Sequence, residues 1–417
     1  MGAETLKSRI ESATARVAVV GLGYVGAPLA ALAVDAGFAV EGIDPYRDGP
    51  PEGLAGLGRF SFNRDYSAIP GSDVVVVCVP TPLTENEEPD LGPLIGAFTA
   101  IAENFGARDR GPRLLVVEST SFPGTTSEIV EPVLREAGLT EGEDFHLAYA
   151  PERVDPGPAT EKRRLKDIPR VVGGRGGAAG ELAEVFYRRL GCEVKRVSAP
   201  EIAEMSKLLE NVFRAVNIAL VNEISLLCRK MDIDVWEVLE AAATKPFGFM
   251  PFRPGPGIGG HCIPVDPFYL SWKARQYGFY TEFIELAGKM NRNMPRHVVE
   301  WIAERLNEDR KSLNGSRVLV VGIAYKEDVA DVRESPALKI IELLARAGAE
   351  VLYHDALVGS VEVDGRPYSS AELSAEVAGG CDCVAVITAH SDVDRGLLKS
   401  LEVPVVDVRN ALGRHGR

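Results

Sequence analysis

The sequence predicts an α/β protein in which two doubly wound parallel sheets are joined by a long central helix. Three observations predict it. Short Val-rich apolar runs alternate with helical segments, the pattern of a parallel sheet covered on both faces. The same succession occurs at both ends of the chain. Between them, "SAPEIAEMSKLLENVFRAVNIALVNEISLLCRK" (198–230) is one uninterrupted helical pattern. A chain of 417 residues is too long for one ordinary domain. The reading is an N-terminal domain over 1–197, a central helical region over 198–312 and a C-terminal domain over 313–417.

The elements follow in order. Val17–Val20 is a short buried-strand run, and Pro28–Ala36 is a helix stopped by Gly37. A second strand ends at Asp44. Further strands lie in "SDVVVVCVPTP" (72–82) and "RLLVVEST" (113–120). The plan recurs in 317–355 as strand, turn, helix, Gly348, strand and Asp355. "CDCVAVITA" (381–389) and "VPVVDVRN" (403–410) repeat the later strands. The central helix starts at Ser198 or Pro200, and Ile202, Met205, Leu209, Val212, Val216 and Leu220 form its apolar stripe. About 30 residues at about 1.5 Å each give a rod of roughly 45 Å. Such a stripe suits a core helix or the seam of a dimer.

Composition excludes several classes. The chain is 46% apolar and 25% charged, with mean hydropathy near zero, as in globular proteins with real cores. No apolar run reaches the roughly 18 residues of a membrane span. The N-terminus lacks the apolar middle of a signal peptide, and Leu6 stands where myristoylation needs Ser or Thr. The cysteines at 78, 192, 228, 262, 381 and 383 form no C-x-x-C pair and fit reduced thiols in a cytoplasm. The formal charge of −14 argues against nucleic acid as a partner. No metal site is expected.

Gly21-Leu22-Gly23-Tyr24-Val25-Gly26 is G-x-G-x-x-G directly after a strand and opening a helix, which makes the first half Rossmann-like. The first glycine permits the tight turn, the second lets the backbone approach a pyrophosphate, and the third packs helix on strand. Asp44, 18 residues beyond Gly26, would grip the ribose hydroxyls and select NAD, while nearby Arg47 leaves room for NADP. The matching turn of the second half, Gly322-Ile323-Ala324-Tyr325-Lys326, has lost the glycine pattern and gained a lysine. It should hold something other than a second NAD.

"GPGIGGHCIPVDPFYL" (255–270) sets Cys262 among glycines and prolines, where no regular element buries it. Asp266 lies four residues on in the same stiff loop; alone it reads equally as a turn-capping aspartate. His261 adjoins the cysteine, but neighbouring side chains in extended backbone point apart. Lys207 and Asn211 are four apart on the central helix, so they share a face and would serve a developing oxyanion. Glu152 sits in the Pro-rich loop of "LAYAPERVDPG" (147–157). A thiol beside a dinucleotide site has a specific use. It converts an aldehyde into a thiohemiacetal with a second transferable hydride, and the resulting thioester needs water and a base, for which Glu152 and Asp266 are candidates. The expected reaction takes an alcohol to a carboxylate and consumes two NAD.

Together these motifs resemble the UDP-glucose/GDP-mannose dehydrogenase family. The likeness runs through "VAVVGLGYVGAPLA", "VPTPL", "EPDL", "VVESTSFPGTT", "APERVDPG", "EMSKLLENVFRAVNIALVNE", "GPGIGGHCIPVDPFYL" and "YKEDVADVRESPA", nearly the whole chain in order. Residues 244–279 look most like the branch oxidising UDP-N-acetylhexosamines, especially UDP-N-acetylglucosamine. The resemblance implies Cys262 as nucleophile, Lys207 and Asn211 on the oxyanion, Asp266 in proton transfer, and Glu152 and Thr120 on the hydrolytic water. It implies cofactor contacts at Gly21, Gly23, Tyr24, Val25, Gly26, Asp44, Arg47, Thr81, Thr120 and Arg333. For the UDP-sugar it implies Glu152, Arg153, Lys207, Asn211, Arg253, Gly259 and Lys326. It implies a C-terminal half that binds the nucleotide of the sugar donor, and a homodimer through the central helix.

The chain departs from that family after Asp44. There "PYRDGPPEGLAGLGRFSF" (45–62) is too rich in Gly and Pro for the helix usual at this point, leaving the adenosine end more open. Ala150 also replaces a common serine. Rival readings are oxidation of UDP-N-acetylmannosamine or UDP-glucose, a two-electron hydroxyacid-type dehydrogenase, which has no need of the thiol, and a nucleotide-sugar-binding protein without catalysis.

Overall fold

The computed structural model describes residues 2–84, 88–106, 111–154, 165–260 and 263–413. The chain divides into two compact units. The first comprises Met1–Asp155, Ala159–Glu210 and Phe268–Phe279; the second comprises Pro156–Pro158, Asn211–Pro267 and Tyr280–Arg417.

In the first unit, β1 (Arg16–Val20), β2 (Ala39–Ile43), β3 (Phe60–Asn63), β4 (Val74–Val77), β5 (Arg113–Val117), β6 (Phe145–Tyr149), β7 (Arg170–Gly174) and β8 (Val194–Val197) form one sheet. Their spatial order is 3-2-1-4-5-6-7-8. All neighbours pair in parallel except β6 with β7. The first six strands follow the doubly wound dinucleotide-binding order. Side chains alternate across the pleat, so each strand feeds two cores. Val17, Val19, Val74, Val76, Leu114 and Val116 pack on one face with Leu29, Ala33 and Phe186. Ala18, Val20, Val75, Val77, Leu115 and Val117 pack on the other with Leu94, Phe98 and Ile101. Burial on both faces is why these strands read as unbroken Val runs.

The helix after β1 spans Gly26–Asp35, two residues earlier than the Pro28 start read from sequence, because the glycine turn itself supplies its first residue. Residues 45–62 contain turns and the start of β3, and no helix. Strands β3, β7 and β8 were not anticipated. β3 and β8 are four residues long and only partly buried, and β7 is buried but begins with Arg170 and ends in two glycines, so none carries an apolar run.

The second unit holds a smaller parallel sheet. Its strands are β9 (Arg317–Val321) and β10 (Glu350–His354), with β13 (Cys383–Val386) and β14 (Val405–Asp407) following the hairpin of β11 (Ser360–Val363) and β12 (Arg366–Ser369). The sheet order is β10-β9-β13-β14. Asp364 and Gly365, both at positive φ, make the tight connection of the hairpin. A helix over Glu282–Glu308, also not anticipated, packs Val298, Ile302 and Leu306 into the core beside β9 and β13.

The central helix spans Pro200–Lys230. Its length and composition alone would let it cross a membrane. Its buried residues, however, are Ala203, Glu204, Lys207, Leu208, Asn211, Ala215 and Asn222 among others. The apolar stripe faces outward: Ile202, Met205, Leu209 and Leu220 are all exposed. The buried polar residues Glu204, Lys207, Asn211 and Asn222 are therefore on the inner face, while much of the apolar stripe is on the outer one.

Candidate active site

The turn after β1 explains its glycines separately. Gly21 has φ +86°, where a side chain is strained, and a Cβ there would lie 2.7 Å from the Cys78 carbonyl. A Cβ on Gly26 would lie 1.9 Å from the Gly21 carbonyl oxygen. Those two glycines are required by the chain's own packing. A Cβ on Gly23 would meet no atom within 4 Å, so the glycine is needed only if a ligand approaches there, as a pyrophosphate does. Tyr24 is exposed and Val25 half-buried beside the helix start. Asp44 accepts hydrogen bonds from Leu22 N at 3.0 Å and Tyr46 N at 3.1 Å, and its carboxylate stays half-exposed at the end of β2. Arg47 is exposed and donates to the Gly49 carbonyl at 3.4 Å. These residues fit a dinucleotide, with NAD favoured by the acid.

Past β4 and β5, Thr81 donates its hydroxyl proton to the Thr120 carbonyl at 2.8 Å. Tyr269 donates to the Thr81 carbonyl at 2.5 Å, so the tyrosine of "DPFYL" pins the "VPTP" loop. Lys207 is buried and donates from Nζ to Thr120 Oγ1 at 2.6 Å. The segment after Thr120 is held by Glu204, which accepts from Gly124 N at 2.6 Å, Thr126 N at 2.9 Å and the Thr126 hydroxyl at 2.6 Å. Burial pushes the Glu204 carboxyl up to about 7 despite these donors. Glu152 is buried. One of its oxygens accepts from Arg153 N and Val154 N, both at 2.6 Å, and the other meets the Arg170 guanidinium at 2.6 Å. Both oxygens are thereby held in place, with less freedom than a base would need. Arg153 forks onto Glu210 at 2.6 and 3.0 Å.

In the second unit, Asp266 accepts from Asn211 Nδ2 at 2.6 Å and both are buried. Asp266 was read as a loop residue; it is the first residue of the helix Asp266–Arg275. The proline next to it is pre-set for a first helical turn, where a carboxylate is also favoured. His261 and Cys262 lie outside the described residues, while the loop leading to them is closely fitted. Gly255 N donates to Asn222 Oδ1 at 2.9 Å, and Asn222 in turn donates to Asn291 at 3.0 Å. A Cβ on Gly259 would lie 2.6 Å from the Tyr325 Cβ, and one on Gly260, at φ +84°, 2.8 Å from the Tyr325 ring. Gly260 N also donates to the Arg333 carbonyl at 3.0 Å. The cysteine loop is thus pressed onto the second turn, 322–335. Arg333 forks onto Asp331 at 2.5 to 3.0 Å. Arg253 is exposed. Lys326 lines a pocket with Pro256, Gly257, Tyr325, Thr388 and Arg409.

The second turn differs from the first in its acid. Asp355, 2% exposed, accepts from Ile323 N at 2.7 Å and Ala324 N at 3.0 Å, and His390 Nε2 lies 3.1 Å away. Burial opposes its charge, but His390 and the amides hold the carboxyl down at about 2. An acid so enclosed has nothing left for a ribose. Sequence reasoning missed Tyr269, Asn222, Asn291 and Arg409. The first three act through partners far along the chain, which leave no local pattern; Arg409 follows a strand in the "VPVVDVRN" run without any motif of its own.

A doubly wound sheet with a fitted glycine turn, joined to a second nucleotide-type sheet lacking one, defines a dinucleotide-dependent dehydrogenase. The comparisons make this specific. Three domains of the UDP-glucose/GDP-mannose dehydrogenase family match: the NAD binding domain over 53–191, the central domain over 201–293 and the UDP binding domain over 319–414. A UDP-N-acetyl-D-glucosamine 6-dehydrogenase of Pseudomonas aeruginosa is 35% identical over 90% of this chain and 91% of its own. A UDP-N-acetyl-D-mannosamine dehydrogenase of Pyrococcus horikoshii is 34% identical over 90% of each. The solved UDP-D-ManNAc dehydrogenase of that organism superposes with a TM-score of 0.84 at 33% identity, covering 95% of both chains. A UDP-glucose dehydrogenase from Pyrobaculum islandicum gives 0.80 at 29% identity, over 95% of this chain and 94% of its own. The chain belongs to the UDP-glucose/GDP-mannose dehydrogenase family and is an NAD-dependent dehydrogenase of UDP-sugars.

Proposed function

We propose that the enzyme oxidises the 6-hydroxymethyl group of UDP-N-acetylglucosamine to the carboxylate, with Cys262 as nucleophile. The observation that supports this most is the buried Asn211–Asp266 pair, at 2.6 Å, four residues from that cysteine. Relatives named for N-acetylhexosamine substrates support the choice of sugar. C6 loses a hydride and its hydroxyl a proton, leaving an aldehyde. Bound NAD supplies the hydride acceptor. The Cys262 S–H adds across the carbonyl, sulfur to carbon and proton to oxygen, to form a thiohemiacetal. Loss of a second hydride and proton gives a thioester. Water then adds and the thiol leaves, freeing the carboxylate. In sum, one water is consumed, two NAD are reduced and three protons are released.

Lys207 and Asn211 donate to the oxygen that gains charge in each addition. Asp266, at its helix start, takes part in proton transfer. Thr120, held by Lys207, and Glu152, as a fixed anion, orient the hydrolytic water. Lys326 and Arg409 line the pocket for the diphosphate, with Gly259 and Arg253 on the substrate side. Arg333 supports the cysteine loop through its carbonyl. The outward apolar stripe of the central helix forms a homodimer seam, and the free thiols among the described cysteines suit a cytoplasmic setting.

The test is NADH yield from UDP-N-acetylglucosamine, UDP-N-acetylmannosamine, UDP-glucose and GDP-mannose. Two NADH per UDP-N-acetylglucosamine, fastest of the four, is expected, and Cys262→Ser should bind both ligands yet form almost no acid. Faster turnover of UDP-N-acetylmannosamine reassigns the sugar. One NADH per sugar, or unimpaired acid formation by the variant, removes the covalent route.

A further inference from the structure

Behind Glu152, inside the first unit, lies a charge cluster that the chemistry above does not use. Arg170, the first residue of β7, is 2% exposed. It reaches Glu152 Oε2 at 2.6 Å on one side and Glu118 Oε2 at 3.6 Å on the other. It also donates to the Pro151 carbonyl at 3.4 Å, and its guanidinium carbon sits 5.4 Å from the Tyr187 ring centre. Glu118 follows β5 directly and is 1% exposed. It accepts the Tyr187 hydroxyl at 2.5 Å and lies 4.0 Å from the Cys78 thiol. One guanidinium thus serves two carboxyl groups in a region closed to water. When both are ionised the single guanidinium between them is divided between two anions, and burial makes the second charge costly.

We propose that Glu118 is a positioning residue: by sharing Arg170 with Glu152 it sets how firmly that guanidinium holds the Glu152 carboxylate, and its own proton switches the sharing off. The inference rests on the role given to Glu152 above. Protonated, Glu118 leaves Arg170 wholly to Glu152. Ionised, it draws the guanidinium back. Burial pushes the Glu118 carboxyl up to about 7, with Glu152 adding to the rise while Arg170, Tyr187 and Lys207 oppose it. The switch therefore falls near neutrality. The titratable and charged groups facing Glu118 come from every element around it: Cys78 after β4, Glu152 after β6, Arg170 on β7, Tyr187 on the helix Gly176–Arg189, Cys192 just past that helix, and Lys207 on the central helix. Burial raises the Cys78, Cys192 and Tyr187 groups, so they stay neutral through this range. Arg170 is held charged, since its two carboxyl neighbours outweigh the burial. Glu118 is thus the carboxyl that burial brings to titrate near pH 7.

The test compares kcat of Glu118→Gln with that of the unaltered enzyme from pH 5.5 to 9, using NAD and whichever of the four sugars is turned over fastest. Taking the ratio cancels titrations common to both. Below about pH 6 both carry a neutral side chain at 118, so the ratio should approach one. Above about pH 8 it should depart from one by roughly threefold or more, in a single step. A ratio flat with pH, whether at one or at a constant fraction, overturns the proposal, because lost packing has no such step. Tyr187→Phe removes a donor that favours ionised Glu118 and should move the step to higher pH; it serves as the readout if Glu118→Gln does not fold. Glu152→Gln separates the two readings. If it is as active as the unaltered enzyme, the role of Glu152 falls. If it is impaired while the Glu118→Gln ratio stays flat, only the present inference falls. Measured against Glu152→Gln alone, the Glu118→Gln/Glu152→Gln double variant should show no step, and a step in that ratio would show an effect that bypasses Glu152.

Discussion

Glu118 makes a second demand, on stability. Its carboxyl titrates near 7 in the folded chain and near 4.3 when unfolded. A raised carboxyl favours the folded state below the lower value, and that contribution is lost as pH rises through the higher one. Between about pH 4.5 and 7 the unaltered enzyme should therefore lose melting temperature relative to Glu118→Gln, by a few degrees for a cost of this order. Calorimetry across that range would decide it; a constant difference between the two proteins contradicts the assigned titration. Residues of this kind explain what the sequence concealed. Lys207 and Asn211 stood out by their four-residue spacing on one helix face, and Glu152 and Asp266 by their place in loops rich in proline or glycine. Glu118 and Arg170 lie 52 positions apart, each at a strand end where a charge ordinarily meets solvent. Only the sheet order, which brings β5 and β7 to either side of β6, makes them partners.

Elements whose pattern repeats over several residues were legible, and short or mixed ones were not. Strands β1, β4, β5, β9 and β13 are apolar on both faces and announce themselves. Strand β8, with Lys195 and Arg196 exposed at its middle, does not. The glycine turn shows how one element divides labour, and two variants separate its parts. Gly26→Ala places a Cβ against the Gly21 carbonyl at 1.9 Å, so the turn must open, and both melting temperature and NADH binding should fall. Gly23→Ala meets no protein atom within 4 Å. It should fold as the unaltered chain does while NADH dissociation, followed by fluorescence, rises about tenfold or more. An unchanged NADH affinity in Gly23→Ala would remove that turn from the cofactor site.

For the molecule as a whole, the central stripe was legible as apolar, but its direction was not. Periodicity names a face without saying what covers it. In the second unit Leu220, Leu227, Phe283 and Leu286 are exposed, at 53%, 51%, 77% and 60%, far more apolar surface than scattered single residues would need. If this is the homodimer seam, Leu220→Glu should halve the sedimenting mass at micromolar concentration while leaving the far-ultraviolet spectrum intact. A variant that remains dimeric would move the seam elsewhere. The closed-in Asp355 of the second sheet carries a separate lesson about timing. Among the described residues the first turn fits a nicotinamide carrier and the second does not, yet the proposed conversion draws off two electron pairs. The spent carrier must depart and a fresh one arrive in mid-course, with the half-finished sugar unable to wander off. A tether to sulfur serves that waiting period, so the need for it can be traced to an aspartate already engaged by backbone amides and His390.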